Sequence, residues 1–302
     1  MASVTANGIQ IEYETFGDSA APALLLIIGL GCQLIHWQDD FCQQIADSGY
    51  NVIRYDNRDS GLSTKFDELS ESQIIEKLMA IFFGQTVSIP YTIEDMANDA
   101  GGLLAALNID KAHICGMSMG GMIAQTFAIS NPSRTISLTS IYSHSGDWQE
   151  YLPTQEVLDD MMKPLPVERN AYIDAVTDFY KLTYGSELPF DEKFYKALEG
   201  RAYDRYYCPE GEGRQNLSIF SQKDRTQALG KLIVPSLIVH GDADPLVPLA
   251  GGKATAKAIP KAELMVVKGM GHVLPNLNAY WGDIKDAMIK HMGNAEYVIK
   301  VR

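Results

Sequence analysis

Cysteine is scarce in this chain and never occurs in close pairs. The 302 residues include four cysteines, Cys32, Cys42, Cys115 and Cys208. None of them forms a Cys-x-x-C pair or stands at a spacing typical of zinc ligands. We therefore expect buried free thiols, and neither disulfides nor a metal site.

Clusters of basic residues and long apolar runs are also missing. Lys and Arg number 25 against 38 Asp and Glu, which gives a formal net charge of −13. Because phosphate contacts need clustered Lys and Arg, this balance excludes nucleic acid and an anionic membrane as expected partners. The N-terminus lacks a basic and apolar leader, and nowhere do about 18 apolar residues run together. We expect a cytoplasmic protein with a small-molecule substrate, and leave its oligomeric state open, with a homodimer as one option.

What the chain does contain is an ordinary globular composition with alternating strand and helix patterns. Hydrophobic residues make up 46% and charged residues 21%, and a chain of this length can form one large core with an insertion, or two domains. The alternation predicts a doubly wound, mainly parallel sheet with its chemistry at the carboxyl ends of the strands. Residues 3–16 alternate around Asn7 and Gly8, which predicts an antiparallel hairpin at the start. A helix is predicted over 276–291 and a short strand over 296–302.

A Gly-x-Ser-x-Gly pattern interrupts two apolar segments, residues 112–115 and 121–130. A strand that turns directly into a helix leaves its corner residue in a strained conformation, and Gly116 and Gly120 leave room for that turn. The Ser118 hydroxyl would then stand above the helix N-terminus, where backbone N–H groups are unpaired. The pattern predicts a nucleophile at Ser118.

A serine hydroxyl needs a base within hydrogen-bond reach, and the base needs an orienting carboxylate. Six histidines compete for the role of base, and only His272 lies in a Gly-flanked loop just after the last predicted strand. Two carboxylates, Asp242 and Asp244, follow the preceding predicted strand. Both fit the loop that would carry the acid.

These motifs resemble the α/β-hydrolase superfamily, whose members carry the nucleophile, the acid and the histidine in that order along the chain. Segments 53–63, 116–121 and 269–275 look closest to the aclacinomycin methylesterase-like carboxylesterases. The resemblance covers nearly the whole chain and implies an eight-stranded, mostly parallel sheet with an inserted helical cap. The superfamily pattern Gly-x-x-Asp-x-x-x-Pro matches Gly241 to Pro248, which favours Asp244 as the acid. Asp242 would then be a solvated or turn-capping residue.

The resemblance also indicates where the cap and the oxyanion donors lie. Residues 145–228 lose the alternation of strand and helix and are rich in proline and aromatic residues, so we expect the cap there and the core over 1–144 and 229–302. The aromatics are expected to pack the cap first and line a pocket second. By position, the Leu30 and Met119 N–H groups would form the oxyanion hole, although Ile28 stands where the superfamily usually has histidine. The alternative for Leu30 is a plain strand-to-loop turn.

The implied function is two-step acyl transfer with no metal and no organic cofactor. We expect a serine carboxylesterase that acts on small to medium esters through Ser118, His272 and Asp244, with methyl esters as one option. One alternative is a carbon–carbon bond hydrolase of ring-cleavage products; those enzymes typically carry Trp after the histidine, where Val273 stands here. Lactonase and haloperoxidase-like activities stay open. A ligand-binding protein on the same fold, with slow or no turnover, is the alternative from another class.

Overall fold

The computed structural model describes residues 1–277 and 279–300, the last three by their backbone alone. Its sheet has eight strands in the order β1-β2-β4-β3-β5-β6-β7-β8. The first hairpin pairs antiparallel, as does β2 with β4, and the remaining neighbours pair parallel. The eight-stranded, mostly parallel sheet predicted from the sequence is confirmed. The strands are β1 (Ala2–Ala6), β2 (Ile9–Phe16), β3 (Ala23–Ile27), β4 (Asn51–Tyr55), β5 (Ala112–Met117), β6 (Thr135–Ile141), β7 (Ser236–Gly241) and β8 (Glu263–Val267).

Helices cover both faces of the sheet, which explains why a central strand such as β3 is apolar on both of its faces. On β3, Leu25 and Ile27 belong to the core under one set of helices, and Leu24 and Leu26 belong to the core on the other face. This is the alternation that a pleated strand imposes. The helices are α1 (Asp39–Asp47), α2 (Glu71–Phe82), α3 (Ile93–Ala106), α4 (Met119–Ser130), α5 (Gln155–Met161), α6 (Arg169–Thr183), α7 (Glu192–Arg205), α8 (Pro209–Ser221), α9 (Thr226–Leu229), α10 (Leu249–Ala258) and α11 (Trp281–Lys300).

The C-terminal part differs from the expectation. The closing helix begins at Trp281, five residues later than expected, and continues to Lys300. The strand expected over 296–302 is wrong for residues 296–300, and residues 301 and 302 lie outside the described part. Ile284, Met288, Met292 and Ala295 are buried. Their helical spacing continues the apolar face past residue 291, so burial against the sheet extends the helix.

The chain between β6 and β7 carries helices α5 to α9. Its aromatic residues pack on one another, as expected: the Phe190 and Tyr195 rings stack at 4.7 Å, and Tyr184 and Phe190 meet edge to face at 5.2 Å. All four cysteines are free. Within the described residues, every helix is too short or too polar to cross a membrane.

Candidate active site

Ser118 occupies the corner between β5 and α4, with φ 54° and ψ −124°. The two glycines around it are required by close backbone contacts. A Cβ on Gly116 would lie 2.0 Å from the Gly120 carbonyl oxygen, and one on Gly120 would lie 2.2 Å from the Ile27 carbonyl oxygen. Such a backbone costs on the order of 1–3 kcal/mol and persists only where the surroundings hold it. The strained corner predicted from Gly-x-Ser-x-Gly is confirmed.

Ser118 follows β5, and the ends of the two neighbouring strands, β6 and β3, lie beside it. Ser118 N–H donates to the Ile141 carbonyl at 3.0 Å, which ties the corner to the end of β6. A Cβ on Gly29, just after β3, would lie 3.3 Å from the Ser118 Cβ. The loop after β3 therefore lies directly against the serine.

The two N–H groups predicted as oxyanion donors belong to this corner. The neighbouring N–H group, that of Gly31, was not predicted as a donor, and it is bound to Gln215 Oε1 at 2.9 Å. Leu30 N–H and Met119 N–H have no acceptor among the described residues. Met119 is the first residue of α4, where backbone N–H groups point out of the helix. Their role as an oxyanion hole stays a prediction.

Asp244 and His272 are joined by a hydrogen bond of 2.8 Å between Oδ2 and Nδ1. The other carboxylate oxygen of Asp244 accepts from the N–H groups of Leu246 and Val247, each at 2.9 Å. The Asp244 side chain is fully buried, whereas 12% of the His272 side chain is exposed. These contacts fix the carboxylate and hold the imidazole ring through Nδ1.

Asp242, the competing carboxylate, has a different place. It is exposed, and its Oδ1 accepts from Gly269 N–H at 2.6 Å. That bond braces the start of the loop that carries His272. Its surroundings agree with the solvated or turn-capping role expected for it.

The other five histidines have neighbours of their own, although His240 Nε2 also lies 3.8 Å from Asp244 Oδ2. His36 pairs with Glu199, His113 with Ser137, His144 with Gly146 N–H and His240 with the Val247 carbonyl, and His291 lies 4.0 Å from Glu263. Burial lowers the pKa of His113 and of His144 to about 3, so both rings stay neutral near pH 7. His272 alone combines a carboxylate partner with partial exposure near the corner.

Ser118 Oγ and the His272 ring share no hydrogen bond in the part of the chain that is described. Such bonds are often long before a substrate is bound. A third residue, Tyr142, nevertheless connects the two segments. Ser118 N–H is bound to Ile141, and the ring of the next residue, Tyr142, lies 4.3 Å from the His272 ring.

The loop of His272 is also held by a segment that sequence reasoning missed. His272 N–H donates to the Thr183 carbonyl at 2.7 Å, and Gly271 N–H donates to the Tyr184 carbonyl at 2.9 Å. Gly185 has φ 111°, and a Cβ there would lie 2.2 Å from the Gly269 carbonyl oxygen. The chain after α6 thus pairs with the loop along its length. A glycine far away in sequence carries no signal for this pairing.

Behind the Gly31 turn lies a cavity of about 30 Å³ that neither Ser118 nor His272 lines. Glu199 and Glu212 both face it, and Glu199 is bound to His36 at 3.0 Å. Burial, and to a lesser degree the charge of Glu199, raises the pKa of Glu212 to about 7. The folded protein therefore holds this proton more tightly than the unfolded chain, whose Glu pKa is about 4.3.

The expected consequence is a pH-dependent cost to stability. Between about pH 4.3 and 7 the folded state binds more protons than the unfolded state, so stability falls as the pH rises through this window and then levels off. Glu212→Gln removes the group that titrates. The difference in melting temperature between the variant and the unaltered protein should therefore increase from pH 5 to pH 7.5 in favour of the variant. Above pH 7.5 the difference should stay constant. Thermal unfolding at a series of pH values measures this.

The matched control is Glu210→Gln, since Glu210 lies on the same helix and is exposed. Its melting temperature should follow that of the unaltered protein at every pH. A Glu212→Gln advantage that did not vary with pH would contradict the titration argument.

Residues 22–277 match the family described as the alpha/beta hydrolase fold. The chain belongs to this family. The family expected from the motifs is confirmed, and methylesterases are among its relatives. This α/β hydrolase is 26% identical over 291 residues to rhodomycin D methylesterase from Streptomyces sp. (strain C5). The alignment covers 90% of this chain and 92% of the relative. The chain is 26% identical over 273 residues to 3-oxoadipate enol-lactonase 2 from Acinetobacter baylyi, which covers 88% of each.

A solved structure also resembles this α/β hydrolase. The meta-cleavage product hydrolase from Pseudomonas fluorescens IP01 superimposes with a TM-score of 0.71 at 18% identity, over 100% of this chain and 98% of that one. At this level of identity the likeness shows the shared fold alone. The activity has to be argued from the residues of this chain.

Proposed function

We propose that this α/β hydrolase is a serine carboxylester hydrolase that acts on small to medium esters. The observation that carries the proposal is the 2.8 Å bond between His272 Nδ1 and Asp244 Oδ2, at the sheet edge where Ser118 is held in its strained corner. A nucleophile, a base and an orienting acid are the groups that acyl transfer needs.

In the proposed mechanism His272 Nε2 takes the Ser118 proton as Oγ attacks the ester carbonyl. Asp244 keeps the remaining proton on Nδ1 and stabilises the imidazolium that forms. The tetrahedral oxyanion accepts hydrogen bonds from Leu30 and Met119 N–H. His272 then protonates the leaving alkoxide, and water repeats the two steps on the acyl-enzyme.

We assign residues 145–228 as a cap over this edge, and 1–144 with 229–302 as the core. Helices α5 to α8 fall inside the assigned range, and α9 bridges its end. The hydrogen bonds from the His272 loop to Thr183 and Tyr184 support this assignment, because they place part of the proposed cap directly beside the proposed base. The enclosed space would select the acyl and alcohol groups.

Ester cleavage is supported by two observations, of which the residue after His272 is the one that argues against carbon–carbon cleavage. The relatives named above include a methylesterase and an enol-lactonase, and a lactone is a cyclic ester. Val273 is 2% exposed, and its carbonyl accepts from Tyr142 and Trp281. The position after His272 therefore presents no indole to a substrate, whereas carbon–carbon hydrolases usually carry Trp there.

Turnover on a substrate series tests the proposal. Each methylene buried in an apolar pocket contributes up to about 0.8 kcal/mol, so kcat/KM should rise along p-nitrophenyl esters from acetate and then fall before decanoate. A phenyl-substituted dienoate should be poorer than the best ester by more than roughly tenfold. Both substrates are measured at the same pH. A dienoate that equals the best ester would replace the esterase by a carbon–carbon hydrolase.

A further inference from the structure

Tyr142 follows the last residue of β6 and combines an unfavourable backbone with a buried side chain. Its φ is 35°, and 1% of the residue is exposed. Among the described residues other than glycine, positive φ otherwise occurs at Asn, Asp and Lys residues and at Ser118. A bulky aromatic residue in this conformation is an outlier, and it persists only where its surroundings fix it. The surroundings of Tyr142 are the candidate active site.

The hydroxyl of Tyr142 lies between the neighbours of Ser118 and His272. It donates to the carbonyl of Val273, the residue after His272, at 3.0 Å. Its oxygen also lies 2.6 Å from the sulfur of Met117, the residue before Ser118. One side chain therefore spans the two segments that carry the nucleophile and the base.

The ring of Tyr142 supports the imidazole itself. The two ring centroids are 4.3 Å apart, with planes inclined by 54°. Tilted aromatic rings at this distance attract each other, and a phenol face also attracts an imidazolium cation. Asp244 holds the imidazole through Nδ1, and Tyr142 contacts its ring. Together these contacts restrict both the position and the tilt of the ring.

We propose that Tyr142 is a positioning residue for His272, whose ring supports the imidazole and whose hydroxyl fixes the loop that carries it. This rests on the proposed function, in which His272 is the base for Ser118. Tyr142 does not itself contact the ester. Loss of the Tyr142 side chain should lower the rate of the chemical step and leave substrate binding almost unchanged, since only the orientation of the His272 ring changes.

The test compares Tyr142→Leu with Tyr142→Phe in ester turnover. The Phe variant keeps the ring, and Trp281 Nε1 still donates to the Val273 carbonyl at 3.3 Å, so kcat should stay within roughly tenfold of the unaltered protein. The Leu variant loses ring and hydroxyl, and kcat should fall roughly 10²-fold with KM changed less than about threefold. A fall in kcat with KM almost unchanged, measured at a temperature where the melting curve shows the Leu variant fully folded, is a result that a general packing defect would not give.

The matched control is Tyr50→Leu. Tyr50 is another buried tyrosine, and its ring lies 5.7 Å from His113, away from Ser118. This variant should have a lower melting temperature and the same kcat as the unaltered protein. If Tyr142→Leu does not fold, Tyr142→Met, which fills the space with a flexible side chain, takes its place with the same expectation.

The two proposals fail in different ways. An active protein whose Tyr142→Leu variant kept kcat, or changed only KM, would overturn the positioning role alone. An unaltered protein that neither hydrolyses esters nor reacts with a phosphonate at Ser118 would overturn the proposed function and the positioning role with it.

Discussion

Ser118→Ala should fold normally and lose roughly 10⁴-fold or more in kcat toward esters. The alanine keeps the Cβ that touches the Gly29 turn and loses only the oxygen, and no hydrogen bond from that oxygen supports the fold among the described residues. Stability should therefore change little while acyl transfer stops. The measurement is kcat beside a melting curve, together with phosphonate labelling of the unaltered protein.

Ser137, a buried serine hydrogen-bonded to a histidine, offers a matched control. Ser137 Oγ lies 2.8 Å from His113 Nδ1 inside the sheet. Ser137→Ala should lower the melting temperature and leave kcat near its original value. Near-native turnover by Ser118→Ala, or labelling at another residue, would remove the nucleophile assignment.

Asp244→Asn should lower kcat by several orders of magnitude, roughly 10⁴-fold, because an amide supplies no charge for the imidazolium and favours the wrong tautomer. Its remaining oxygen can still accept from Leu246 and Val247 N–H, so the loop should keep its shape. The protein should fold, and the loss should appear in kcat. Steady-state kinetics with a melting curve measures both.

Asp242→Asn is the control within the same loop. An asparagine oxygen can accept the 2.6 Å bond from Gly269 N–H as the carboxylate does, and Asp242 makes no bond to His272 in the described part of the chain. We expect kcat within a few-fold of the unaltered protein. If Asp242→Asn caused the large loss and Asp244→Asn the small one, the assignment of the acid would be reversed.

The parts of the site that local sequence determines could be predicted. The backbone at Ser118 follows from the glycines beside it, because any side chain at Gly116 would meet the Gly120 carbonyl. Two loops that leave the carboxyl edge of the sheet predict a carboxylate beside His272, and the superfamily pattern over Gly241 to Pro248 favours Asp244 over Asp242. Local pattern is sufficient where backbone geometry allows few residue types.

The remaining features depend on contacts between distant segments. Nothing near Tyr142 in the sequence indicates a positive φ, which arises where its side chain meets Val273, 131 residues away. The pairing of Thr183 with His272 is equally remote. The local pattern predicts too short a final helix, because it does not show the burial of Met292 and Ala295 against the sheet.

The hydrogen bonds between His272 and Thr183, and between Gly271 and Tyr184, limit how a substrate can enter. In the proposed cap, lifting this end of the segment would break both bonds and leave the loop of His272 without this support. In the proposed cap, the segment around Thr183 and Tyr184 is therefore the side that stays attached to the core. His272 would then already be in place when a substrate arrives.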